Sequence, residues 1–131
     1  KGNGISDEVL KIQLKCGLKN VTKVMAEKLW IAYEPVWAIG VNGKPASVEY
    51  ANDKHEVIKK CLIELFGKEI GREVPVLYGG SVNNENAVEL IQKGNIDGLF
   101  IGRSAWDAEN FNNIIRKVIP LFKERKKNIV K

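Results

Sequence analysis

This chain is poor in the residues that most often betray a metal or redox site: it has two cysteines and one histidine in 131 residues. Cys16 and Cys61 both fall in segments of helical periodicity and form no Cys-x-x-Cys pair. That pattern argues for free buried thiols in a reducing, cytoplasmic setting, and against a disulfide framework or a thiolate metal centre. His55 lies in the middle of a helical pattern on its apolar stripe, where a histidine packs rather than reacts. No apolar run approaches the ~18 to 20 residues of a membrane span. No Gly-x-Gly-x-x-Gly turn is present, which sets aside a dinucleotide-binding fold. The opening Lys1-Gly2-Asn3-Gly4 has neither an initiator methionine nor a signal-peptide pattern, so the chain reads as part of a longer polypeptide.

What is present is a globular composition, 44% hydrophobic and 28% charged, long enough for one modest domain. The 21 basic and 16 acidic residues leave a net charge of +5, which favours small anionic ligands. Part of that excess sits in Lys123-Glu124-Arg125-Lys126-Lys127, a run that reads as a solvated terminus. No aromatic and basic interleaving accompanies it, so a nucleic-acid partner is not expected.

Hydrophobic periodicity divides the chain into alternating helices and strands. Ser6-Asp7-Glu8 supplies a cap and an acidic first turn for a helix over 7–19, with Val9, Leu10, Leu14 and Leu18 on one side. A short helical turn over 22–27 leads to an apolar strand ending at Glu34. After the loop 41–46, a long helix over 48–66 places Ala51, His55, Ile58, Leu62 and Leu65 on one face, with Gly67 and Gly71 ending it. A strand over 74–78 turns through Gly79-Gly80-Ser81 into a helix capped near Asn83 or Asn84 and stopped by Gly94. A third strand over 96–101 turns through Gly102-Arg103-Ser104. Asp107 then caps a last helix with Phe111, Ile114, Ile115 and Val118 inward. Such alternation implies parallel strands covered by helices, either a closed barrel or a doubly wound sheet. Each strand ends in its own small-residue turn, which suits a ring of loops around a shared site and favours the barrel.

The densest chemical signal is Trp30-Ile31-Ala32-Tyr33-Glu34-Pro35-Val36-Trp37-Ala38-Ile39-Gly40. Pro35 forces the chain out of the strand just beyond the acid, which holds Glu34 at a strand end. Aromatic residues flank it, and apolar surface against a carboxylate raises its pKa toward the range of a general base. In Tyr78-Gly79-Gly80-Ser81-Val82 and Phe100-Ile101-Gly102-Arg103-Ser104, small residues directly follow a strand, where backbone N–H groups can approach a phosphate. The competing reading of either turn alone is tight strand-to-helix geometry that merely needs glycine.

Ala32 to Gly40 resembles the signature of triosephosphate isomerases, in which the glutamate is the proton-abstracting base and the following segment hinges a mobile lid. The two later turns resemble that family's phosphate grip. The resemblance runs over 6–122 and implies the C-terminal part of a (β/α)8 TIM barrel: the last three strands with their helices and one preceding helix, with residues 1–131 forming a portion of a single barrel domain. By position it assigns the base to Glu34 and substrate phosphate binding to Gly40 and Gly43 of the lid, Ser81, and the amides of Gly102 and Arg103. It implies aldose–ketose isomerisation of a small phosphorylated sugar, glyceraldehyde 3-phosphate and dihydroxyacetone phosphate, with no metal or cofactor, and a homodimer when complete. The family's electrophilic lysine and histidine come from the first half of the barrel. The missing N-terminal half is therefore an expected partner, and this chain alone is expected to be inactive.

The lid is one residue longer than the family's usual form, and Gly102-Arg103 stands where Gly-Gly is usual. Both features look more like the erythrulose-phosphate isomerase branch, whose substrate has one more carbon and hydroxyl. That branch is the alternative assignment. An alternative of another class is a non-catalytic half-barrel that retains a phosphate-binding half-site.

Overall fold

The computed structural model describes residues 3–38 and 44–129. Three short parallel strands, β1 (Ile31–Tyr33), β2 (Val76–Tyr78) and β3 (Gly98–Leu99), form one sheet in chain order. Ile31, Ala32 and Tyr33 pair with Val76, Leu77 and Tyr78, which in turn places Leu77 and Tyr78 opposite Gly98 and Leu99. Parallel neighbours need covered crossovers, and helices supply them. In chain order these are α1 (Asn3–Gly17), α2 (Lys23–Ala26), α3 (Val48–Phe66), α4 (Lys68–Glu73), α5 (Ala87–Gln92) and α6 (Ala108–Ile129). α1 packs on α3, α3 on α5 and α5 on α6. Among the described residues, no helix is long and apolar enough to cross a membrane.

The core lies between the sheet and this row of helices. Val76 and Tyr78 of β2 enter it, while Leu77 between them, on the other face, is only partly buried. Ala51, Ile58 and Leu62 of α3 meet them, joined by Leu90 and Ile96 and by Ile114 of α6. The expected α3 stripe is buried at Ala51, His55, Ile58 and Leu62 and half-buried at Leu65. Ser47 caps this helix, its Oγ accepting from the Tyr50 amide at 3.2 Å, and Gly67 ends it at φ 88°.

Several boundaries differ from the sequence reading, each for a local reason. The first helix begins at Asn3, and Asp7 pairs with the buried Lys54 of α3 instead of opening the helix. Gly71 does not end α3. It lies inside α4, where a Cβ would stand 2.5 Å from the Leu62 carbonyl oxygen. β2 starts at Val76 because Pro75 has no N–H to give, although its carbonyl accepts from the Ile31 amide at 2.9 Å. β3 shrinks to two residues: the Asp97 carboxylate takes the Val76 amide at 2.9 Å, substituting for a backbone rung, while also pairing with Lys59. The helix expected from Asn83 or Asn84 starts at Ala87, since Asn83 and Asn86 close a side-chain turn first. Asp107 caps α6 as expected, accepting from the Asn110 amide at 2.8 Å. Ile114 is buried and Ile115 and Val118 are half-buried, but Phe111, on the same helical stripe, is exposed. Cys61 is free and buried, and burial pushes its thiol pKa up. Cys16 is free but exposed, on the side of α1 away from α3, so the expectation of two buried thiols holds for one of them.

Candidate active site

Glu34 immediately follows β1, and Pro35 diverts the chain into a 3-10 turn, Val36–Ala38. Across the sheet edge, β2 ends at Tyr78 and the chain turns through Gly79 and Gly80. These glycines are required by close approach. A Cβ on Gly79 would stand 2.7 Å from Glu34 Cγ and 2.8 Å from its Oε1, and one on Gly80 would stand 2.3 Å from the Tyr78 hydroxyl oxygen. The Glu34 side chain thus lies directly over the turn after β2.

That turn holds the only non-glycine residue at positive φ among the described residues, Ser81 at 53°. Its hydroxyl donates to the Ala38 carbonyl. Its own carbonyl accepts from Asn86 Nδ2 at 3.1 Å and Asn83 Nδ2 at 3.4 Å. A left-handed serine persists only when its surroundings hold it, and these bonds do so. After β3, Gly102 precedes a second 3-10 turn, Arg103–Ala105, in which the Ala105 amide donates to the Gly102 carbonyl at 2.9 Å.

The two turns and Glu34 enclose one open cavity of about 460 Å³. Of the residues singled out in the sequence, Glu34, Ser81, Gly102 and Arg103 line it together. Gly40 and Gly43 lie outside the described residues. Asn83 and Ser104 also line the cavity. The sequence pattern gives neither a ligand-facing role; Asn83 and Asn84 enter it only as alternative helix caps. A second cavity of about 370 Å³ lies between α1 and β1, with Leu10, Leu14, Leu18 and Ile31 in its wall, and Glu34 borders it too.

The apolar enclosure expected around Glu34 is not built by its sequence neighbours. Glu34 is exposed, as are Trp30 and Trp37. Trp37 turns away to meet the Tyr50 ring of α3 edge-on at 5.4 Å. The buried aromatic of this stretch is Tyr33, which contacts His55 at 5.9 Å and Tyr78 at 6.3 Å between ring centroids. His55 is fully buried against both rings, and burial lowers its pKa from 6.5 to about 4. Asp97 and the Asn95 backbone favour its charged form and Lys59 opposes it, but neither ring nitrogen makes a well-formed hydrogen bond. The expected packing role suits this histidine. It props the strands that carry Glu34 and the Ser81 turn.

Residues 1–118 match the sequence profile of the family described as triosephosphate isomerase. The chain is 48% identical over 119 residues to the L-erythrulose-1-phosphate isomerase of Rhizobium etli, covering 90% of this chain and 43% of that protein. It is 46% identical over 113 residues to the triosephosphate isomerase of Carboxydothermus hydrogenoformans, covering 86% of this chain and 45% of that protein. With the triosephosphate isomerase of Fusobacterium nucleatum the identity is 44% over 109 residues, covering 83% and 43%. The chain therefore spans a little under half the length of the curated relatives it matches. Its three-stranded parallel sheet and helices are the C-terminal part of a (β/α)8 barrel, and the chain belongs to the triosephosphate isomerase family.

Proposed function

We propose that this chain supplies the general base and much of the phosphate grip of a sugar-phosphate aldose–ketose isomerase interconverting glyceraldehyde 3-phosphate and dihydroxyacetone phosphate. The supporting observation is the juxtaposition of Glu34 with the Ser81 and Gly102 turns around one cavity. Such a cavity fits a short substrate with a phosphate at one end and an acidic C–H at the other. Glu34 removes the proton from the carbon beside the carbonyl and returns it to the neighbouring carbon, so the base is regenerated and no redox partner is consumed. Ser81 and the amides of Gly102 and Arg103 hold the phosphate, joined by Gly40 and Gly43 of the lid. The electrophile that polarises the carbonyl comes from the N-terminal portion of the barrel, which also closes the sheet beyond the outer edges of β1 and β3.

A second reading, isomerisation of the four-carbon erythrulose phosphate by the same base, is favoured by one feature of the site. Arg103 lines the cavity, and a guanidinium from that position could reach an extra substrate hydroxyl. Relatives of nearly equal identity carry both names. The test is a steady-state assay of the completed barrel with each substrate and with inorganic phosphate as competitor. Turnover of at least one substrate, inhibited competitively by phosphate, is expected. Phosphate binding without turnover of either would instead identify a non-catalytic half-site.

A further inference from the structure

The β2–β3 ladder is too short to fix the two turns that line the cavity. Among the described residues its last rung is the Phe100 amide on the Tyr78 carbonyl at 2.8 Å, before either turn begins. Beyond that point the turns are joined by side chains. Ser104 Oγ donates to the Val82 carbonyl at 2.8 Å, a direct bond from the second turn to the first. Asn110, in the first turn of α6, donates through Nδ2 to the Ser104 carbonyl at 2.8 Å, and its Oδ1 accepts from Asn84 Nδ2. One amide therefore grips the second turn with its donor and the chain just beyond the first turn with its acceptor. Lys117 adds a bond from α6 to the Asn84 carbonyl at 3.2 Å.

Helix capping does not account for this side chain. The Asn110 backbone amide is already taken by Asp107, so its carboxamide is left to span the two turns. A phosphate held by groups from both turns needs them at one fixed separation, because sub-ångström misplacement weakens each charge-assisted bond.

We propose that Asn110 is a positioning residue that sets the spacing of the Ser81 and Gly102 turns so that both close on a single phosphate group. This rests on the reading of the cavity as a phosphate site. In the completed barrel, Asn110→Ala and Ser104→Ala are each expected to raise KM and the inhibition constant of inorganic phosphate by about three- to tenfold, the range of one lost hydrogen bond. kcat and Tm should move much less. Ser104→Ala removes the bond to Val82 and Asn110→Ala the bridge from Asn84 to the Ser104 carbonyl. Because both links hold the same pair of turns, the double variant should depart from the product of the single effects. Asn110→Asp preserves shape and the acceptor for Asn84, but sets a carboxylate against the Ser104 carbonyl. It should match or exceed the loss in Asn110→Ala, whereas a residue that merely fills space would tolerate it. Unchanged phosphate constants in these variants, or losses that scale with lowered Tm, overturn the proposal while leaving the cavity's function intact. A wild-type barrel that neither turns over sugar phosphate nor binds inorganic phosphate removes the functional reading and this proposal with it.

Discussion

The Ser81 hydroxyl donates to the carbonyl of Ala38, the last residue of the 3-10 turn that follows Glu34. A residue of the turn after β2 is thereby fastened to the segment leading away from the Glu34 carboxylate. The bond exists because Ser81 is left-handed. An extended serine at the same place would send its side chain elsewhere, and the two Asn amides on its carbonyl maintain the unusual backbone.

Removing Asn86 should therefore release strain as well as a hydrogen bond. Asn86→Ala is expected to destabilise the fold by about 1 to 2 kcal/mol, since the amide serves both the Ser81 carbonyl and the Asn83 amide. In a Ser81→Gly background, where φ 53° carries no steric penalty, the same substitution should cost clearly less. Urea-unfolding midpoints of the four proteins in the cycle measure this. Full additivity would show that Asn86 does not act through Ser81.

Glu34→Gln keeps the side-chain shape and removes the proton acceptor. In the completed barrel it should lower kcat by ~10² to 10⁴-fold and leave inorganic phosphate inhibition nearly unchanged. A variant with wild-type kcat, or one impaired only in KM, takes Glu34 out of the base role.

His55 gives the fold a pH dependence of definite sign. Its folded pKa of about 4 lies below its ordinary 6.5, so between these values the unfolded state binds more protons. Its contribution is complete above about pH 6.5 and is lost as the pH falls toward 4, amounting to about 3 kcal/mol over that window. The charged groups around it, Asp97 and Lys59, are paired with each other at 2.8 Å and largely offset. His55→Phe should flatten stability between pH 6.5 and 4.5 relative to wild type. Parallel stability curves for the two proteins would show that His55 is not the titrating group.

Period and turn chemistry made most of the architecture legible. The 19-residue α3 was readable to its ends because Ser47 and Gly67 are strong caps on a clean apolar stripe. The strands were over-read because a side chain can replace a backbone rung, as Asp97 does for Val76, and apolar character does not reveal that substitution. At the site, Glu34 and the Gly79 and Gly102 turns were visible through Pro and Gly punctuation. The Asn83, Asn86 and Asn110 contacts were not, because an asparagine that caps a helix and one that braces a turn look alike in sequence. The orientation of Trp37 likewise depends on Tyr50, a contact no local pattern encodes.

Expressed by itself, the 131-residue chain should self-associate and show no isomerase turnover. Trp30 and Trp106 are 70% and 83% exposed, Phe100 and Val36 add to that apolar surface, and β1 and β3 have no strand beyond their outer edges among the described residues. Light scattering coupled to gel filtration, with an assay of each fraction, decides the matter. A monodisperse monomer turning over substrate near the rate of a complete barrel would refute it.

Arg103 is where the substrate choice is decided if the four-carbon reading holds. It lines the cavity beside Gly102, within the same turn whose Ser104 reaches across to Val82. A guanidinium there can read a hydroxyl or add to the phosphate contacts, and one such bond supplies about 1.5 to 3 kcal/mol of discrimination. Arg103→Gly in the completed barrel should then shift kcat/KM away from the four-carbon phosphate and toward the three-carbon one by about tenfold or more. The backbone of the turn argues that the variant will fold, since its bonds run through the Gly102 and Arg103 carbonyls and survive the substitution. If Arg103 contributes only its amide, both substrates should lose or keep activity together. An unchanged ratio of the two kcat/KM values would move the search for specificity to the longer lid, residues 41–45.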